Sequence, residues 1–132
     1  MAETPYAFRE SPETCRAFIK GISVGLVFPA ASWCFWAAGW TLFQVPRHEE
    51  IFKSLAVSLS PATLFLLKWY SGVAILLAAT GVACIVGTSR FGERRAVAVL
   101  NVTAWVLAMA WQAFASVVLS SPVMSLLQGI GR

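Results

Sequence analysis

The sequence predicts an all-α integral membrane protein with three transmembrane helices, an outer amphipathic connecting helix and a short C-terminal helix. Composition is the first reason: 58% of the 132 residues are hydrophobic and 12% charged, where soluble domains carry about 45–50% and about 25%. Distribution is the second. Three apolar runs pass the roughly 20-residue length that carries a helix across about 30 Å of hydrocarbon. None of them shows the strict apolar/polar alternation of a membrane β-barrel. One composition regime runs through the chain, so a single transmembrane domain over 1–132 is expected.

Residues 1–20 mix Glu3, Glu10 and Glu13 with Arg9, Arg16 and Lys20. That mixture, ahead of an apolar run too long for a signal h-region, reads as a cytoplasmic tail and helix start rather than a secretory signal. Span one covers 21–45 as an uncleaved anchor, bent at Pro29, where a backbone hydrogen bond is lost. Span two covers 61–87 and span three 96–119. Ser-Pro pairs mark helix starts, because serine caps free N–H groups and proline at the first position forfeits no bond. Ser11-Pro12 starts the helix that feeds span one, Ser60-Pro61 opens span two, and Ser121-Pro122 opens a terminal helix ending near Gly129.

Between the first two spans, Phe52, Leu55 and Leu59 share a helical face with Ile51 beside it, while Glu49, Glu50 and Lys53 are polar neighbours. Such a helix either lies flat at the interface or caps the bundle.

Basic residues set the orientation. Arg9, Arg16 and Lys20 with Arg90, Arg94 and Arg95 outnumber Arg47, Lys53 and Arg132. The positive-inside rule then places the N-terminus and the 89–95 connection in the cytoplasm and the C-terminus in the periplasm. Trp36, Trp40 and Phe43, Phe65, Trp69 and Tyr70, and Trp111 and Phe114 all fall in the outer half, as an interfacial belt does. Trp33 and Trp105 lie deeper, at helix–helix packing positions.

Few side chains offer chemistry. Lys68 is the sole charge within a span and a functional candidate on that ground. Its nearness to the outer interface favours snorkelling, with Glu49 or Glu50 as the available partners. Asn101 and Gln112, eleven residues apart, share a face of the third helix with Trp105 and Ala108. Amides there act as glue between helices, worth about 0.6–2 kcal/mol. Small residues recur at four-residue spacing in Gly21/Gly25, Ala79/Ala83/Gly87 and Ala104/Ala108, the pattern that lets membrane helices approach closely. Cys15, Cys34 and Cys84 form no metal or redox motif, and their expected depths differ too much for a disulfide. His48 lies outside the spans, so a histidine-ligated pigment within the bilayer is not expected. No phosphate loop, nucleophile–base pair or acidic pair appears. The sequence therefore predicts no enzyme and no cofactor or metal site. The net charge of +4 comes from span-flanking residues and implies no nucleic acid.

Residues 45–67 carry one resemblance. Val45-Pro46 ends a span, Ile51-Phe52 follows in an amphipathic segment, and Leu59 with Thr63 opens the next span. This is similar to the membrane hairpin of type II secretion and type IV pilus inner-membrane platform proteins, the secretion F family. That family places its proline directly after the leucine; here Ser60 intervenes before Pro61, and His48 replaces an aromatic residue. The resemblance implies the hairpin topology and a bacterial source. The family's large cytoplasmic helical domains have no counterpart here, so its role in pilus assembly does not follow.

The expected function is that of a small bacterial inner-membrane accessory or scaffold protein, packing against other membrane subunits or copies of itself in the lipid bilayer. Two other classes compete with it. One is an oligomeric pore of holin-like type lined by the Asn101–Gln112 stripe. The other is a lipid- or quinone-binding module using the outer aromatic cluster.

Overall fold

The computed structural model describes residues 12–55 and 59–130. Three helices account for nearly all of them: α1 (Pro12–Leu55), α2 (Pro61–Phe91) and α3 (Arg95–Ile130). Each is long and apolar enough to cross a membrane, and each contains one of the spans expected from the sequence. The α1 helix starts at Pro12; its expected cap, Ser11, lies outside the described residues, as do Glu3, Arg9, Glu10 and Arg132.

The α2 start follows the Ser-Pro expectation. Ser60 has extended backbone angles, Pro61 occupies the first turn, and the Thr63 amide donates to Ser60 Oγ at 3.2 Å. This satisfies one of the orphan donors every helix N-terminus carries.

Two expected elements are not separate helices. The amphipathic segment after Val45 continues α1 to Leu55 straight through Pro46. Its anchor is Phe52, which is 3% exposed and packs with Val45, Leu66, Ala115 and Leu119. The segment thus caps the bundle through Phe52 and half-buried Leu59, while Ile51 and Leu55 stay exposed; residues 56–58 lie outside the described residues. The C-terminal segment likewise continues α3 through Pro122. Proline has no N–H for the carbonyl four residues back, here that of Val118. The Ser121 hydroxyl donates to that oxygen at 3.1 Å, and Ser125 donates to the Pro122 carbonyl at 2.8 Å. The Ser121 donor takes the place of the missing bond, and the helix continues through the proline.

The helices interlock by a regular seam. The buried seam of α3 runs through Val97, Asn101, Ala104, Ala108, Ala115, Val118 and Pro122, with half-buried Trp111 in register and buried Leu119 beside it. On α2 it runs through Thr63, Leu66, Ala74, Leu77, Gly81, Cys84 and Thr88. Alternating steps of three and four residues keep one stripe facing inward, the periodicity of left-handed helix packing. Most of these side chains are small, which suits lipid, where close van der Waals packing rather than hydrophobic burial holds helices together. At Gly81 the approach is tight: an added Cβ would lie 3.3 Å from Cys34 Cβ and from the Phe35 ring.

Cross-helix contacts fix the order of the elements in space. Ser23 meets Asn101 and Thr41 meets Trp111, so α1 and α3 run the same way, with α2 antiparallel. One end of the bundle carries Lys20 and the α2–α3 turn, the other Phe52.

Candidate functional site

Two polar ties join the helices in the interior. At the turn end, Asn101 is fully buried. Its Nδ2 donates to the Ser23 carbonyl of α1 at 3.2 Å and to the Thr88 hydroxyl of α2 at 3.0 Å. One amide therefore joins all three helices. Nearer the Phe52 end, Trp111 Nε1 donates to Thr41 Oγ1 at 3.1 Å, and that hydroxyl donates to the Ala37 carbonyl at 2.7 Å. A thiol contact lies between the ties, with Cys34 Sγ 3.9 Å from the Ala104 carbonyl.

The turn-end tie is incompletely paired. Among the described residues, Asn101 Oδ1 and Ser23 Oγ are enclosed and have no hydrogen-bond partner. An enclosed polar atom without a partner keeps its desolvation cost. The Ser23 backbone carbonyl, not its hydroxyl, serves the tie.

The other residues singled out by the sequence divide sharply. Ala104 and Ala108 are buried in the central cluster with Ala30, Cys34 and Ala74, and Trp105 packs against it. Trp33 packs there too, with its indole Nε1 unpaired among the described residues. Gln112 is half-buried, yet its side chain makes no hydrogen bond to another helix among the described residues, and its Oε1 is enclosed without a partner. The shared face of Asn101 and Gln112 thus yields one tie, not two. Lys68 is exposed and makes no ion pair among the described residues. Glu49 is engaged elsewhere, accepting from Lys53 Nζ at 2.7 Å within α1.

Small-residue faces divide as well. Ala104/Ala108 faces inward. Gly21 and Gly25 on α1 and Ala79 and Ala83 on α2 are exposed, and a Cβ added at Gly21, Gly25 or Gly87 would meet nothing within 4 Å.

Sequence reasoning missed Ser23, Thr41 and Thr88 as partners of the amide and the indole. A signal was present: Thr88 falls in the α2 seam four residues after Cys84, and Thr41 falls in the α1 seam four residues before Val45. Expected depth separated Cys34 from Cys84, but both are buried in the central cluster as free thiols.

Aromatic side chains gather toward the Phe52 end. Trp36, Phe43, Phe65 and Trp69 are exposed there, and Phe65 tilts against Trp69 at 6.5 Å between ring centroids. A surface cleft of about 320 Å³ lies among Phe35, Trp36, Gly39 and Trp40.

No protein-family model matches the chain, and no curated protein or solved structure does either.

Proposed function

We propose that this chain is a small, non-catalytic accessory or scaffold protein of a bacterial inner membrane, acting by helix–helix packing in a larger complex or a homo-oligomer. The observation that carries the reading is the division of its small residues. Ala104 and Ala108 are consumed by the chain's own packing, whereas Gly21 and Gly25 on α1 and Ala79, Ala83 and Gly87 on α2 leave open surface. Such faces admit a second helix at close range, where packing and weak polar contacts drive association.

Charge supports the orientation within this reading. Arg16, Lys20, Arg90, Arg94 and Arg95 stand at the turn end, against Arg47 and Lys53 accompanied by Glu49 and Glu50 at the other. The N-terminus and the α2–α3 turn accordingly face the cytoplasm and the C-terminus the periplasm. The similarity of residues 45–67 to the secretion F hairpin supports a bacterial source.

Sizing of the protein extracted in mild detergent tests the proposal. The expected result is a species heavier than one chain, reduced by Gly25→Leu with Ala83→Leu. A strictly monomeric, partnerless wild type overturns it.

A further inference from the structure

We propose that the turn end of the bundle binds the phosphodiester headgroup of an anionic phospholipid, with an acyl chain lying in the adjoining cleft between α1 and α3. A cavity of about 270 Å³ opens there, lined by Lys20 of α1 and by Thr88, Arg90, Gly92, Glu93 and Arg94 of the α2–α3 turn. Three cations and one carboxylate therefore face one small space. Glu93 neutralises little of that charge: its Oε1 stands 3.9 Å from Lys20 Nζ, and both side chains are more than half exposed. An exposed pair at that distance is screened by water and weak. The same space meets the N-terminal end of α3, a 36-residue helix with no acidic residue in its first turn. Such an end carries a partial positive charge of its own.

Local geometry holds the cavity open. The Arg94 guanidinium lies over the Phe91 ring at 5.0 Å from its centroid; stacking of this kind holds the planar group while leaving its N–H edge free for paired bonds to phosphate oxygens. Gly92 provides a floor without a side chain. A Cβ there would sit 2.7 Å from the Thr88 carbonyl oxygen and 3.9 Å from Lys20 Cγ.

The surroundings favour a lipid over a soluble anion. An apolar surface cleft of about 310 Å³, lined by Ile22, Leu26, Val99 and Val102, starts two residues beyond Lys20 on α1, with Ala98, four residues beyond Arg94, on its α3 side. A charged pocket with an apolar cleft two residues further along α1 and four further along α3 suits a molecule with a phosphate at one end and a hydrocarbon chain at the other. Basic pockets between membrane helices hold anionic headgroups in this way. Thr88 lines the cavity and also accepts from Asn101, so a bound headgroup would rest on the tie joining the three helices. None of the outward small residues Gly21, Gly25, Ala79, Ala83 and Gly87 lines the cavity or the cleft.

The test uses the full chain in nanodiscs of equal phosphatidylglycerol and phosphatidylcholine, with retained lipid counted by native mass spectrometry. Wild type is expected to retain phosphatidylglycerol preferentially. Lys20→Gln with Arg94→Gln should reduce that preference about tenfold, and Val99→Trp should reduce it by filling the cleft. Arg47→Gln with Lys53→Gln, at the opposite end, should leave it unchanged. All five side chains are exposed, and an unchanged melting profile in phosphatidylcholine alone shows that each variant is folded. Equal retention of the two lipids, or a preference untouched by Lys20→Gln with Arg94→Gln, overturns the proposal. Inorganic phosphate added to phosphatidylcholine nanodiscs distinguishes the source: it should give little thermal protection, and protection equal to that of phosphatidylglycerol contradicts a lipid site.

Discussion

The side-chain amide of Asn101 donates to the Thr88 hydroxyl at 3.0 Å while also reaching the Ser23 carbonyl. Two of the three helices meeting at this point are neighbours in sequence across the α2–α3 turn; the third arrives from 78 residues away. Asn101→Ala removes both bonds and leaves a cavity. A loss of about 1–2 kcal/mol is expected, read by reversible unfolding in mixed micelles. A double-mutant cycle with Thr88→Val should give a coupling of about 0.6 kcal/mol. Additive single effects would show that the bond contributes nothing.

Ser23→Ala should behave in the opposite way despite removing an enclosed polar side chain. The tie uses the Ser23 carbonyl, which alanine keeps, and the hydroxyl has no partner among the described residues. Its removal relieves a desolvation cost. Stability within about 0.5 kcal/mol of wild type, or above it, is expected from the same unfolding measurement. A loss as large as that of Asn101→Ala would mean the hydroxyl is paired.

Glycines separate by position. Gly81→Leu forces a branched chain into a contact where even a Cβ sits 3.3 Å from Cys34 Cβ and the Phe35 ring. Overpacking of this kind costs about 1–3 kcal/mol. Gly72→Leu enters open space and should leave stability close to wild type. Distances between spin labels on α1 and α2 should lengthen in the first variant only.

The Ser121 hydroxyl occupies the Val118 carbonyl that Pro122 cannot serve. Ser121→Ala should therefore weaken α3 beyond the proline without unfolding the bundle. Amide hydrogen exchange of residues 123–128 is expected to quicken, with rates at Asn101–Ala108 unchanged. Unaltered exchange after Pro122 would show that the serine does not maintain the helix.

The three long apolar helices were legible because composition and run length decide them, and the α2 boundary because Ser60, Pro61 and Thr63 form a local cap. Pro46 and Pro122 misled because the rule for proline is local, whereas Phe52 is held by Leu66 and Ala115 from other helices and Pro122 is rescued by the hydroxyl beside it. Asn101 announced itself as buried glue, yet its partners depend on how α1 and α2 are set against α3. Gln112 has the same chemistry on the same face but meets no donor. Four-residue spacing marks Gly21/Gly25 and Ala104/Ala108 equally; only tertiary packing shows which pair is already used.

We propose binding of other membrane helices by the outward small-residue faces of α1 and α2. Its most direct measurement is the mass of the assembly holding this chain in native membrane nanodiscs, compared with that of the Gly25→Leu, Ala83→Leu double variant. A wild-type assembly heavier than one chain, falling toward the monomer in the variant, is the result predicted. A wild-type chain found alone, or an assembly of unchanged mass in the variant, contradicts the claim.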